Sequence, residues 1–144
     1  MQASRVIVVI GHQGEALIRA LEGRKVEFLG NDAPAEGMSG SLFAGLRKTT
    51  EGRPPDGVMT CLGDMPLIKP SHISGPIQRF SETPGSCVWR PVYKGTRGHP
   101  VIFSTGTFDG LSTIQGDTGA KNTTGFMPRR GPRCACPIVM FSPR

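Results

Sequence analysis

Val58-Met59-Thr60-Cys61-Leu62-Gly63-Asp64-Met65-Pro66 is the stretch on which the architecture turns. Residues 58–62 are apolar or tolerant of extended backbone, too few for a helix, and fenced upstream by Pro54-Pro55-Asp56-Gly57. An apolar strand without alternation suits a parallel sheet covered on both faces. Gly63 allows a sharp turn, and Pro66 keeps the strand from continuing. Asp64 is therefore expected at the carboxyl end of a central strand, the edge of an open α/β sheet where ligands sit. One carboxylate beside a phosphate-bearing ligand suffices for Mg2+, which keeps most of its water. Gly-Asp ahead of Pro is also ordinary turn chemistry, and the stretch alone leaves both readings open.

Upstream, Arg5 to Ile10 is a second continuous run rich in β-branched residues. Gly11-His12-Gln13-Gly14 turns it into a predicted helix, Glu15 to Leu21, with Ala16, Leu17, Ala20 and Leu21 on one face and Glu15 and Arg19 on the other. Gly23 ends that helix, and Val26 to Leu29 forms a short strand, completing a βαβ unit. The loop from Gly30 to Gly37 leaves that strand on the ligand edge. Met38 to Leu46 follows as a helix with Leu42, Phe43 and Leu46 inward and Ser39 as N-cap. Small residues at Ser39, Gly40 and Ser41 keep its first N–H groups approachable, which suits a phosphate as well as plain capping.

Downstream, Ser71 caps a predicted helix that turns Ile73, Ile77 and Phe80 inward and is short or kinked at Pro76. Ser86 to Tyr93 reads as a strand interrupted by Pro91. Lys94-Gly95-Thr96-Arg97-Gly98 is a hairpin turn, and Pro100 to Phe103 is the returning strand. His99 stands at their junction, while His12 and His72 read as surface or turn residues. Thr107 to Ile114 is a weak helix.

The chain has 144 residues, enough for one core, with 20 Gly and 13 Pro pointing to a large share of loop. The net charge of +6 is uneven: residues 1–120 hold 12 basic against 11 acidic side chains, whereas residues 121–144 hold five basic and none acidic. Positive charge confined to a tail argues against a nucleic-acid-binding face. Two units follow: a domain over 1–121 and a basic, Pro/Arg-rich tail over 122–144 expected to lack order. Cys61 and Cys87 fall in predicted strands as small buried groups, and Cys134-Ala135-Cys136 has neither zinc nor redox spacing. No apolar run spans a membrane and no signal-peptide pattern opens the chain, so a cytoplasmic location is expected.

Val8-Val9-Ile10-Gly11-His12-Gln13, Asn31, Glu36-Gly37-Met38-Ser39-Gly40-Ser41-Leu42, Gly63-Asp64-Met65-Pro66, Gly98-His99-Pro100 and Gly116-Asp117-Thr118-Gly119-Ala120 together resemble the MobA-like nucleotidyltransferases, of the molybdenum-cofactor cytidylyltransferase type. The resemblance covers about residues 5–121 and implies a three-layer α/β/α Rossmann-like, mostly parallel sheet. It implies transfer of a nucleoside monophosphate, CMP from CTP (or GMP from GTP), to the phosphate of a molybdopterin cofactor with release of pyrophosphate, and a molybdoenzyme as partner. By that likeness Asp64 holds Mg2+ and is catalytic. Asn31, Gly37, Ser39 and Ser41 line the nucleotide, and Gly98, His99 and Pro100 face the pterin.

Two family features have no counterpart here: an opening strand with a glycine-rich L-A-A-G-type loop and lysine, and a closing Asp-Thr-Pro-type strand with a second metal carboxylate. The fold is accordingly expected to be incomplete and turnover impaired. A non-catalytic pterin-cofactor-binding or interaction module on the same fold is the alternative expectation.

Overall fold

The computed structural model describes residues 3–11, 14–31, 37–82, 88–108 and 141–143. Strand β1 (Ala3–Ile10) leads through helix α1 (Glu15–Ala20) to β2 (Glu27–Gly30), and the two strands pair in parallel, Ile7 with Glu27 through Ile10 with Gly30. This is the expected βαβ unit. Glu15 and Arg19 make the ion pair their spacing promised, at 3.5 Å. The apolar face of α1 is not buried, since Leu17 and Ile18 stay exposed.

Helix α2 (Gly37–Thr50) crosses from β2 to β3 (Gly57–Thr60) and packs on both β1 and β3. It begins at Gly37, so Ser39 lies inside the first turn and is not the N-cap. Helix α3 (Ser71–Glu82) likewise begins at Ser71 and runs unbroken through Pro76. The helix is not cut short at Pro76. The ring is buried, and the carbonyl left without a donor belongs to His72, at an exposed position where water can reach it. The His72 imidazole Nδ1 accepts from the Lys69 N–H at 3.1 Å, tying the approach to α3.

Strand β4 (Val88–Trp89), a hairpin of β5 (Val92–Tyr93) and β6 (Thr96–Arg97), and β7 (Val101–Ser104) follow. Pro91 interrupts the ribbon as expected, separating β4 from β5. Lys94 and Gly95 close the hairpin with positive φ at both positions, the pair that a two-residue loop between right-twisted strands requires. A single 3-10 turn, Thr105–Thr107, ends this part of the chain, and its Thr105 hydroxyl donates to the Pro55 carbonyl. The Gly116–Ala120 motif lies outside the described residues, as do His12, Cys87, Cys134 and Cys136.

The neighbour of β3 in register is β7, antiparallel, Val58 opposite Phe103, and β4 pairs with the far edge of β7, also antiparallel. The expectation of parallel neighbours for 58–62 is corrected. A continuous apolar run reports that both faces of a strand are covered, which holds here, and not the direction of its partners. Every residue of β7 and all but the last of β3 are buried. Leu42, Phe43 and Leu46 of α2 and Ile73, Ile77 and Phe80 of α3 pack on this sheet around Met59, Trp89 and Phe103, giving an α/β fold with helices against a covered sheet. Cys61 is corrected too: β3 stops at Thr60, and Cys61 is exposed beyond it.

Strand β8 (Phe141–Pro143) pairs antiparallel with β1, Val6 opposite Phe141, and also lies against β3. The order across the molecule is thus β2-β1-β8, then β3-β7-β4. Of the tail, only residues 141–143 are described, and they form this strand.

Candidate active site

The β3–β7 register fixes the site. Thr60, the last residue of β3, faces Val101, the first of β7. Residues just after Thr60 and just before Val101 therefore meet at the carboxyl end of β3. Asp64 arrives there from the turn at Gly63, exposed, and His99 from the cis His99–Pro100 junction, half-buried. Arg90 arrives from β4: Trp89 is opposite Ile102, so the next residue reaches the same end. The Gly98 N–H donates to the Pro91 carbonyl at 2.9 Å and draws the two sides of the ribbon together. A Cβ at Gly98 would stand 3.3 Å from the Pro91 ring, so a larger residue there would push the sides apart.

The electrostatics match this convergence. Burial pushes the His99 imidazole below its ordinary value, Arg90 pushes it further, and Asp64 opposes both. The neutral ring is favoured, and its Nδ1 is buried with no hydrogen-bond partner among the described residues. Arg90 is itself held below the ordinary arginine value, first by burial and then by the like charge of Arg97. Arg90 has no role in the sequence reading above. Its signal was a charged residue inside the otherwise apolar run Val88-Trp89-Arg90-Pro91-Val92.

A second pair forms at the carboxyl end of β2. Asn31 continues the β1–β2 ladder through its N–H to the Ile10 carbonyl at 2.9 Å, and its Nδ2 donates to the Ser41 hydroxyl at 3.0 Å. Gly37 and Ser39 lie in the first turn of the same helix. The proposed nucleotide residues thus fall on one loop-to-helix junction, and the proposed pterin residues fall with Asp64 at the end of β3.

Among the described residues no three His, Cys, Asp or Glu side chains cluster as a metal cage. Asp64 accepts no hydrogen bond and joins no ion pair among them, so its carboxylate is open to a cation. A single open carboxylate fits a hard divalent ion that draws its other ligands from phosphate and water. It does not fit a site that binds metal tightly by itself.

The family model of the MobA-like NTP transferase domain matches residues 1–130, and the chain belongs to that family. Its class is therefore that of the nucleotidyltransferases. Rv0371c from Mycobacterium tuberculosis H37Rv superposes with a TM-score of 0.70 at 20% identity, covering 97% of this chain and 69% of that one. The manganese complex of the same protein gives a TM-score of 0.68 at 20% identity, over 94% and 68% of the two chains. Its homolog from Mycobacterium sp. strain JC1 gives 0.62 at 22% identity, over 96% and 66%. At these identities the likeness establishes the shared fold. No curated protein sequence matches the chain.

Proposed function

We propose that the chain transfers CMP from CTP to the phosphate of a molybdopterin-type cofactor, releasing pyrophosphate, with Mg2+ on Asp64. The observation that carries this reading is that the register of β3 with β7 brings Asp64 and His99 to the carboxyl end of β3, where the Asp64 charge acts on the His99 imidazole. Manganese bound by the M. tuberculosis relative supports a divalent cation in this fold. A bound divalent cation would neutralise charge on the phosphoryl group under attack.

The protein's own part is positioning. Asn31 and Ser41, joined to each other, with Gly37 and Ser39 in the same helical turn, hold the nucleotide side through hydrogen-bonding groups at a helix start. Gly98, His99 and Pro100 receive the pterin. A neutral imidazole there contacts an uncharged heterocycle at less desolvation cost than a cation would. The setting is cytoplasmic, with a molybdoenzyme as the recipient of the product; no described helix is long and apolar enough to cross a membrane.

Isothermal titration of the intact chain with CTP, and separately GTP, in the presence of Mg2+ tests the reading. Binding that falls at least about tenfold in Asp64→Ala, the scale of one lost charge-assisted contact, supports it. Absence of nucleotide binding by the parent chain refutes it. Pterin-cofactor binding without triphosphate binding would favour the non-catalytic module.

A further inference from the structure

We propose that the β5–β6 hairpin is a docking arm for an acidic protein surface, with the Tyr93 ring as its apolar anchor and Lys94 and Arg97 as its charged contacts. Taking that protein to be the one that receives the product rests on the function proposed above; the basic and aromatic character of the arm does not.

The arm stands clear of the body. Among the described residues β5 and β6 pair only with each other, and residues 92–97 are exposed without a break between a half-buried Pro91 and a half-buried Gly98. The Gly98 N–H closes its base on the Pro91 carbonyl at 2.9 Å. Folding therefore buries neither Val92, 46% exposed, nor Tyr93, 74% exposed. A two-stranded ribbon with no covered face is marginal in water, so these apolar side chains add little to the fold as it stands.

The charge on the arm has one sign. Residues 83–108 include Arg90, Lys94 and Arg97 and no acid. Lys94 and Arg97 are exposed and join no ion pair among the described residues. Lys94 Nζ stands 5.5 Å from the centre of the Tyr93 ring, a cation–π contact that sets aromatic and charge side by side at the tip. A pair already held in place loses little freedom on binding, and Tyr and Arg are side chains on which protein interfaces depend most. The same inventory counts against other occupants. Nucleic acid is held by neutralising many phosphates, and the arm offers two exposed cations. A membrane surface calls for a longer basic cluster and a wider apolar face than one valine and one tyrosine provide. A second copy brings no acidic excess, since residues 1–120 hold 12 basic against 11 acidic side chains. An acidic protein surface supplies the opposite charge and a place for the ring. The chain leaving the arm at Gly98 runs directly into His99 and Pro100, so a protein held there waits beside the residues assigned to the pterin.

The test is biolayer interferometry of the intact chain against a cofactor-free molybdoenzyme of negative net charge, in low and high salt. The parent should bind, and more weakly as salt rises. Tyr93→Ala and Arg97→Glu should each weaken binding about tenfold or more. Lys94→Asp should do the same; Asp reverses the charge yet suits a hairpin position with positive φ, so the turn keeps its shape. Tyr93→Ala and Lys94→Asp should leave CTP binding unchanged. A parent that does not bind, or binding that ignores all three substitutions, overturns the arm. So does self-association through Tyr93 in sedimentation velocity, or binding of duplex DNA or phosphatidylglycerol vesicles through Lys94, since each gives the arm another occupant. CTP binding that depends on Asp64, without partner binding through the arm, sinks this inference and leaves the proposed function standing. Partner binding through the arm by a chain that ignores CTP does the opposite.

Discussion

Asn31 Nδ2 donates to Ser41 Oγ at 3.0 Å, so the residue that ends the β1–β2 ladder also holds the beginning of α2. The bond ties the start of the helix to the strand edge. Removing either partner should therefore loosen the junction as well as any ligand contact made there. Asn31→Ala and Ser41→Ala should each cost about 1 kcal/mol of stability, and the double variant should cost clearly less than the sum. Denaturant midpoints of the four proteins in the cycle measure this; strict additivity would mean the bond carries no coupling.

Gly57 opens β3 beneath α3. A Cβ at this position would lie 2.6 Å from Phe80 Cζ and 3.0 Å from the Phe103 carbonyl oxygen. The ring is buried and the carbonyl belongs to the central ladder, so neither can retreat far. Gly57→Ala should destabilise by about 1–3 kcal/mol through overpacking. Phe80→Leu in the same chain should return part of that loss. Equal thermal midpoints for Gly57→Ala and the parent would contradict the close approach.

The Arg5 guanidinium clamps Glu27 across the parallel pair, Nε to Oε1 at 2.8 Å and Nη2 to Oε2 at 2.7 Å. That hydrogen bonding, ahead of the Coulomb attraction, holds the Glu27 carboxyl below its ordinary value against a modest desolvation. A carboxyl with a lower pKa folded than unfolded adds stability above its unfolded pKa. The contribution fades as pH falls through the folded value. Between pH 7 and pH 3 the parent should thus lose more stability than Glu27→Gln. Both side chains are partly exposed, so the difference should be small and should shrink in high salt. A pH dependence identical in the two proteins would show that the clamp contributes nothing.

Much of this architecture could be read from residue patterns, for reasons visible in particular elements. Val6 to Ile10 and Val58 to Thr60 are β-branched or apolar without interruption, and both became strands. Pro91 broke its ribbon because it cannot donate to a ladder. What failed was direction: nothing in Val58-Met59-Thr60 distinguishes a parallel neighbour from β7, because burial on both faces produces the same composition either way. Pro76 did not cut its helix short, a local rule being outweighed by the burial of its ring. Asp64, His99, Asn31 and Ser41 were legible as candidates from the family resemblance. Arg90 was not, since its place at the end of β3, one residue past the Trp89–Ile102 pair, follows from a register that only the folded ribbon sets.

The edge of β1 depends on the last strand. β8 covers Ala3 to Val6, with Arg5 opposite Ser142 and a register shift between Ala3 and Arg5. Ending the chain at Met140 would strip these partners and leave backbone N–H and C=O groups of a β-branched strand facing solvent. Such an edge pairs readily with another copy of itself. Sedimentation velocity of the shortened chain should show association that rises with concentration. Ser142→Pro, which removes one ladder donor without removing the segment, should move in the same direction by a smaller amount. If both proteins sediment as the parent does, then β8 does not protect the edge, and its contact with β3 must be what holds the end of the chain in place.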